Sequence, residues 1–199
     1  STVTHRPVSG AQLRAEHAHQ QRLPFEEVAR RIWVGPWFAD QPKRILFLGE
    51  SYFGEWAGDI ECEDTYIPAW IARKVVDPLH ERMEQVLAPG EPRGSLYNRV
   101  AFTNMLIGSV GPKQSDRPKQ QQMRDAQPRL QNLIAEHRID GVLIMGKSST
   151  GPAAEPVCRK AGIRYRAIRH PSGVNNQRAA SGRCTDDEIS DAWRYLTST

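Results

Sequence analysis

Residues 44–54 read RILFLGESYFG, and residues 166–173, far downstream, read RAIRHPSG. In each, a short apolar run stops at a cluster of small and polar residues. That is the pattern of a buried parallel strand delivering functional groups at its carboxyl end. Two further runs extend it. LYNRVAFTNMLIG (96–108) predicts a short strand around Val100–Thr103 leading into a loop at Asn104, and DGVLIMG (140–146) predicts another buried strand. With Ile45–Leu48 and Tyr165–Ile168 they make roughly four strands.

Helical patterns fill the intervals. Trp70, Ile71, Val75, Leu79, Met83 and Val86 recur at three- and four-residue steps, predicting a helix from about Pro68 to Leu87 that Pro78 kinks or interrupts. APGEPRGS (88–95) is a turn cluster, and GPKQSDRPKQQQ (111–122) a basic loop entering a helix. Helical spacing resumes after Pro128 with Leu130, Leu133 and Ile134, and DDEISDAWRYL (186–196) closes the chain as a helix whose first acidic residues suit its dipole. AQLRAEHAHQQRLPFEEVARRIWVG (11–35) reads as two helical stretches broken near Pro24, within an amino-terminal cap over residues 1–40. Strands alternating with helices predict an α/β fold, a three-layer α/β/α sandwich on a mostly parallel sheet. One domain over residues 1–199 is expected, without repeats or an interdomain linker.

The 199 residues suffice for a core without staples. Cys62, Cys158 and Cys184 are widely spaced and contain no CxxC pair, so neither a disulfide framework, a zinc knuckle nor a four-thiolate cluster is read from them. No apolar run reaches the roughly 20 residues of a membrane span, and the opening STVTHRPVSG lacks an apolar signal core. A soluble cytoplasmic monomer without membrane, metal or cofactor is expected. The formal charge of +4 tilts the chain toward an acidic partner.

Gly141–Ser148, GVLIMGKS, satisfies the phosphate-loop pattern GxxxxGK[ST]. In a true phosphate loop the residues between the glycines form an exposed turn, whereas Val142–Met145 read as the strand itself. Nucleotide hydrolysis is therefore not expected. Gly146, Lys147 and Ser148 still fall at a strand-to-helix turn, where backbone amides can meet an anion.

The strand tips form a coherent set. The first ends in Gly49, Glu50, Ser51, Tyr52 and Phe53, the second near Asn104, and the last in His170, Pro171, Ser172 and Gly173. A carboxylate, an aromatic face, an amide and an imidazole at one sheet edge are the groups needed to hold a heterocyclic base and cut its bond to sugar. In GESYF, AFTN, the IDGVLIMGKSS step and HPSG, in that order over residues 44–173, the chain resembles the uracil-DNA glycosylase superfamily. The resemblance implies flipping of a base out of DNA followed by hydrolysis of its N-glycosidic bond.

Under that resemblance Glu50 and His170 are the catalytic candidates. Glu50 is placed to stabilise a cationic sugar or polarise a water, and His170 to stabilise charge on the leaving base. Gly49, Ser51, Tyr52, Phe53, Asn104 and Ser172 are the base-binding candidates, the Asn104 carboxamide being able to donate to a pyrimidine O4 and accept from N3–H. Trp56 is a further aromatic candidate. The chain departs from the GQDPY-like turn, whose third residue is aspartate, by carrying Ser51 there. Glu50 instead matches branches that write GEAPG, and those usually hold a four-cysteine cluster this chain cannot build. It reads as an outlying, cluster-free member, with Glu55 or Asp59 as substitute carboxylates.

Lys147, Ser148, Val174, Arg178 and Arg183 are the candidate DNA contacts, Val174 as a wedge in the vacated stack. Arg169 and the Lys113, Arg117 and Lys119 loop add positive charge. The partner expected is DNA, single- or double-stranded, carrying uracil or a modified base. The alternatives are a related glycosylase for a damaged base and a catalytically silent nucleic-acid-binding module.

Overall fold

The computed structural model describes residues 8–9, 32–51, 63–107, 117–172 and 182–199. Strands β1 (Val8–Ser9) and β2 (Trp33–Val34) precede β3 (Ile45–Gly49), and helix α1 (Glu63–Ile71) follows. Then come β4 (Val75–Val76), α2 (Pro78–Leu87), β5 (Ala101–Asn104), α3 (Gln120–Asp125) and α4 (Gln127–Glu136). Strand β6 (Gly141–Met145), α5 (Gly151–Ala161), β7 (Arg164–Ile168) and α6 (Asp186–Thr197) complete the order.

The main sheet runs β2-β5-β3-β6-β7. Its last four strands are mutually parallel, and β2 joins β5 antiparallel at one edge. Side chains alternate between the faces of a strand, so one buried run feeds two cores. Ile45, Phe47, Leu143, Met145 and Ile168 pack with Ile67 and Trp70 of α1, Met83 of α2, and Ile189 and Leu196 of α6. Their neighbours Leu46, Leu48, Val142 and Ile144 face the other way, onto Met123 of α3, Leu130, Leu133 and Ile134 of α4, and Ala154 and Cys158 of α5. The result is an α/β/α sandwich.

Three expectations change. The sheet has five strands because Trp33 and Val34, read with a helical stretch, pair with Phe102 and Ala101. Gly35 follows directly, and a Cβ on it would lie 2.3 Å from the Asn98 carbonyl oxygen, so the two backbones touch. The helix expected over 68–87 is two helices, α1 and α2, separated by a turn with Arg73 at φ 59° and by β4, which pairs with β1. Of the two outcomes expected at Pro78, a kink or an interruption, the structure has the interruption: Pro78 begins α2, with Asp77 as its cap accepting from the Leu79 amide at 3.0 Å. A proline at a first helical turn has no intrahelical N–H bond to lose. Asn104, placed in a loop by its sequence, is the last residue of β5. The helical cap over residues 11–31 lies outside the described residues.

The GVLIMG run is a buried strand, Gly141–Met145, as its sequence reads. Gly141 packs against Ile45 and Leu196 within the core, so it cannot open a phosphate loop. Among the described residues, no helix is long and apolar enough to cross a membrane.

Candidate functional site

After β3 the chain turns to β5 on one side, and after β6 it turns to β7 on the other. The carboxyl ends of β3 and β6 therefore flank the topological switch point, where an open α/β sheet leaves a crevice for ligands. Register levels the tips. Gly49 pairs with Asn104, Leu48 with Ile144, and Met145 with Ile168. Glu50, Gly146 and Arg169 thus lie one residue beyond a common row, and His170 lies two beyond it. From β5 to β7 there are three strand spacings, about 14 Å at the backbone.

Asn104 is buried, and its side chain folds over Gly49. A Cβ at Gly49 would sit 2.1 Å from Asn104 Oδ1, so only glycine fits beneath the amide. From α4, Arg129 Nη1 donates to the Asn104 carbonyl at 2.9 Å and Nη2 to Thr103 Oγ1 at 2.9 Å. Those bonds close off the end of β5.

Glu50 is half-buried at the switch point. Its carbonyl accepts from the Leu106 amide at 3.1 Å, and its Oε2 accepts from the Ser149 hydroxyl. Ser51 is half-buried beside it. Past β6, Gly146 takes φ 124°, and Lys147 and Ser148 are exposed on the turn that starts α5.

His170 is half-buried past β7. Its Nδ1 receives the Ser172 amide at 3.2 Å and contacts Ser172 Oγ at 2.9 Å. A backbone N–H can only donate, so Nδ1 is the acceptor and the neutral ring carries its proton on Nε2. Burial pushes the imidazole down to about 4, the Asp77 carboxylate opposes that shift, and the Arg117 guanidinium adds to it. At pH 7 the ring is neutral, with its proton on Nε2.

The HPS turn is held from two sides. Arg82 of α2 donates to the Pro171 carbonyl at 2.8 Å and the Cys184 carbonyl at 2.7 Å, and pairs with Asp186 at 3.0 Å. The Arg169 amide and Nε each donate to the Glu188 carboxylate at 2.9 Å. Burial would raise the Glu188 carboxyl, but these bonds to Arg169 outweigh it and hold the group below its ordinary range. Arg169, expected as a DNA contact, is committed to this ion pair. The open groove between α2 and α6, lined by Pro78, Arg82, Pro171 and Asp186 among others, adjoins the same turn. Its arginine is spent on carbonyls and Asp186, whereas the tips of β3, β5 and β7 carry Glu50, Asn104 and His170.

Glu50, Asn104 and His170, expected at strand tips, lie at one end of the sheet with Gly49, Ser51 and Ser172. Arg183 is exposed before α6. Tyr52, Phe53, Val174 and Arg178, with Glu55, Trp56, Asp59 and Lys113, lie outside the described residues. Ser149, Arg129 and Arg82 were missed by the sequence reading. Ser149 at least sits in the GKSST turn already singled out, while Arg129 and Arg82 lie mid-helix with nothing local to mark them. Among the described residues, no three His, Cys, Asp or Glu side chains group to hold a metal ion. Burial pushes the thiols of Cys158 and Cys184 up to about 12, so neither is a ready nucleophile. No family model matches this chain, and no curated protein matches it.

Proposed function

We propose that the chain is a DNA glycosylase that hydrolyses the N-glycosidic bond of a flipped uracil or modified base. The observation that carries this reading is one sheet edge joining the Glu50 carboxylate, the buried Asn104 and a neutral His170. Each group has a task. The Asn104 carboxamide reads the base edge by donating to one ring substituent and accepting from a ring N–H. Neutral His170 donates Nε2–H to a base oxygen, and that hydrogen bond strengthens as negative charge accumulates on the departing base. Its low basicity suits the task, since the ring does not have to lose a proton first.

Glu50 supplies the opposite charge. A carboxylate at the switch point stabilises the cationic sugar left as the bond stretches, and it polarises the attacking water. The exposed Lys147, Ser148 and Arg183 suit phosphate contacts that position DNA without reading its sequence. The unpaired, buried thiols of Cys158 and Cys184 fit a cytoplasmic setting.

Ser51, standing where related turns place aspartate, favours a second reading, a nucleic-acid-binding module without catalysis. Incubating the protein with oligonucleotides that each carry one uracil or modified base, single- and double-stranded, separates the two. The glycosylase reading expects a free base and an abasic strand from at least one of them. Binding with no base released supports the silent module.

A further inference from the structure

We infer that Ser149 is the positioning residue for Glu50: its hydroxyl ties down one carboxylate oxygen and leaves the other for water or the sugar. The kinetic part of this inference rests on the glycosylase reading. The placement does not.

Glu50 and Ser149 are 99 residues apart and meet only because β3 and β6 are neighbours at the switch point. The Ser149 hydroxyl donates to Glu50 Oε2 and is, among the described residues, the one hydrogen-bond partner of that carboxylate. Among the described residues none is hydrogen-bonded to Oε1. The turn carrying Ser149 is itself fixed, because the Thr150 and Gly151 amides both donate to the Gly146 carbonyl, at 3.0 and 2.9 Å.

Gly146 completes the arrangement. A Cβ there would lie 2.8 Å from Ser149 Oγ and 3.7 Å from Glu50 Oε2, within the space the contact occupies. At φ 124° a side chain at this position is strained as well. Lys147 and Ser148 are exposed, so among the three residues after Gly146 only Ser149 turns inward. Glu50 is thereby gripped at both ends, its carbonyl by the Leu106 amide beyond β5 and its carboxylate by the turn beyond β6. A flexible glutamate held in this way meets the sugar in one geometry, which lowers the cost of reaching the transition state.

The test combines a double-mutant cycle with a structure. Ser149→Ala should lower the single-turnover excision rate about ten- to a hundred-fold while KM stays within about two-fold, the loss of one hydrogen bond to a charged group expressed in the transition state. Ser149→Thr should restore most of it. Adding Ser149→Ala to Glu50→Gln should cost nothing further, since both act through one carboxylate. Additive losses, or a Ser149→Ala enzyme as fast as wild type, overturn the inference. A Ser149→Ala loss that exceeds that of Glu50→Gln and is not rescued by threonine also overturns it, because Ser149 would then be the attacking group. A crystal structure of Ser149→Ala decides the placement without any activity: a Glu50 side chain that leaves its wild-type position supports it, and an unmoved one refutes it. If wild-type protein releases no base, the glycosylase reading fails while this structural result still decides the role of Ser149.

Discussion

His170 is a histidine built to stay neutral. Its folded value near 4 lies below the ordinary 6.5, with burial the main cause. Between those values the unfolded chain binds a proton that the folded one refuses, so this group's contribution to stability is full above about pH 6.5 and is lost as pH falls toward 4. Proton-carbon NMR should place the His170 titration near 4, and His170→Gln should flatten the rise of unfolding free energy over pH 4–6.5. A midpoint near 6.5 would contradict the neutral-donor role. Gly49 makes a sharper steric claim. Gly49→Ala places a carbon 2.1 Å from Asn104 Oδ1, so the amide must leave its position. We expect a stability loss of about 1–3 kcal/mol by denaturant unfolding, as for other overpacked sites. Base release should also suffer more than DNA binding, and a Gly49→Ala protein matching wild type in both would show that Asn104 can move freely. Glu50, Asn104 and His170 were legible because each follows an apolar run. Ser149 and Arg129 were not, because they reach their partners across 99 and 25 residues and neither pairing leaves a local pattern.

Helix α2 shows how an element boundary shapes the site. The periodicity that suggested one helix over 68–87 is real on both sides of the break, since Trp70 and Met83 enter the same core. What periodicity does not encode is the parallel pairing of β4 with β1, which depends on residues far away in sequence. Pro78 and the Asp77 cap instead restart the helix, and the new start aims Arg82 at the HPS turn. Removing that guanidinium leaves two partly buried carbonyls without their donor. Arg82→Ala should therefore cost about 1–3 kcal/mol of stability and speed amide exchange at Ser172, the residue that fixes the His170 tautomer. Unchanged exchange would mean that the Arg169–Glu188 pair holds the turn alone. That pair carries its own pH signature: with the Glu188 carboxyl held low, its contribution is present above the usual carboxylate range and is lost as pH falls below it.

At the scale of the molecule, four apolar runs sufficed to predict the layers because buried parallel strands are apolar on both faces, and β3 and β6 are buried at every residue. The antiparallel β2 escaped prediction because two residues at a sheet edge carry almost no pattern. The order β2-β5-β3-β6-β7 was likewise invisible in any single run, yet it brings Glu50 against the Gly146–Ser149 turn at the switch point. The functional account depends on this placement. Its most direct test is single-turnover release of free base from a uracil- or modified-base oligonucleotide by wild type, Glu50→Gln and Ser51→Ala. The account predicts release by wild type, a loss of about 100-fold or more in Glu50→Gln, comparable to removing other groups that stabilise developing charge, and little change in Ser51→Ala. Equal losses in the two variants, or no base released from any oligonucleotide by wild type, would contradict it.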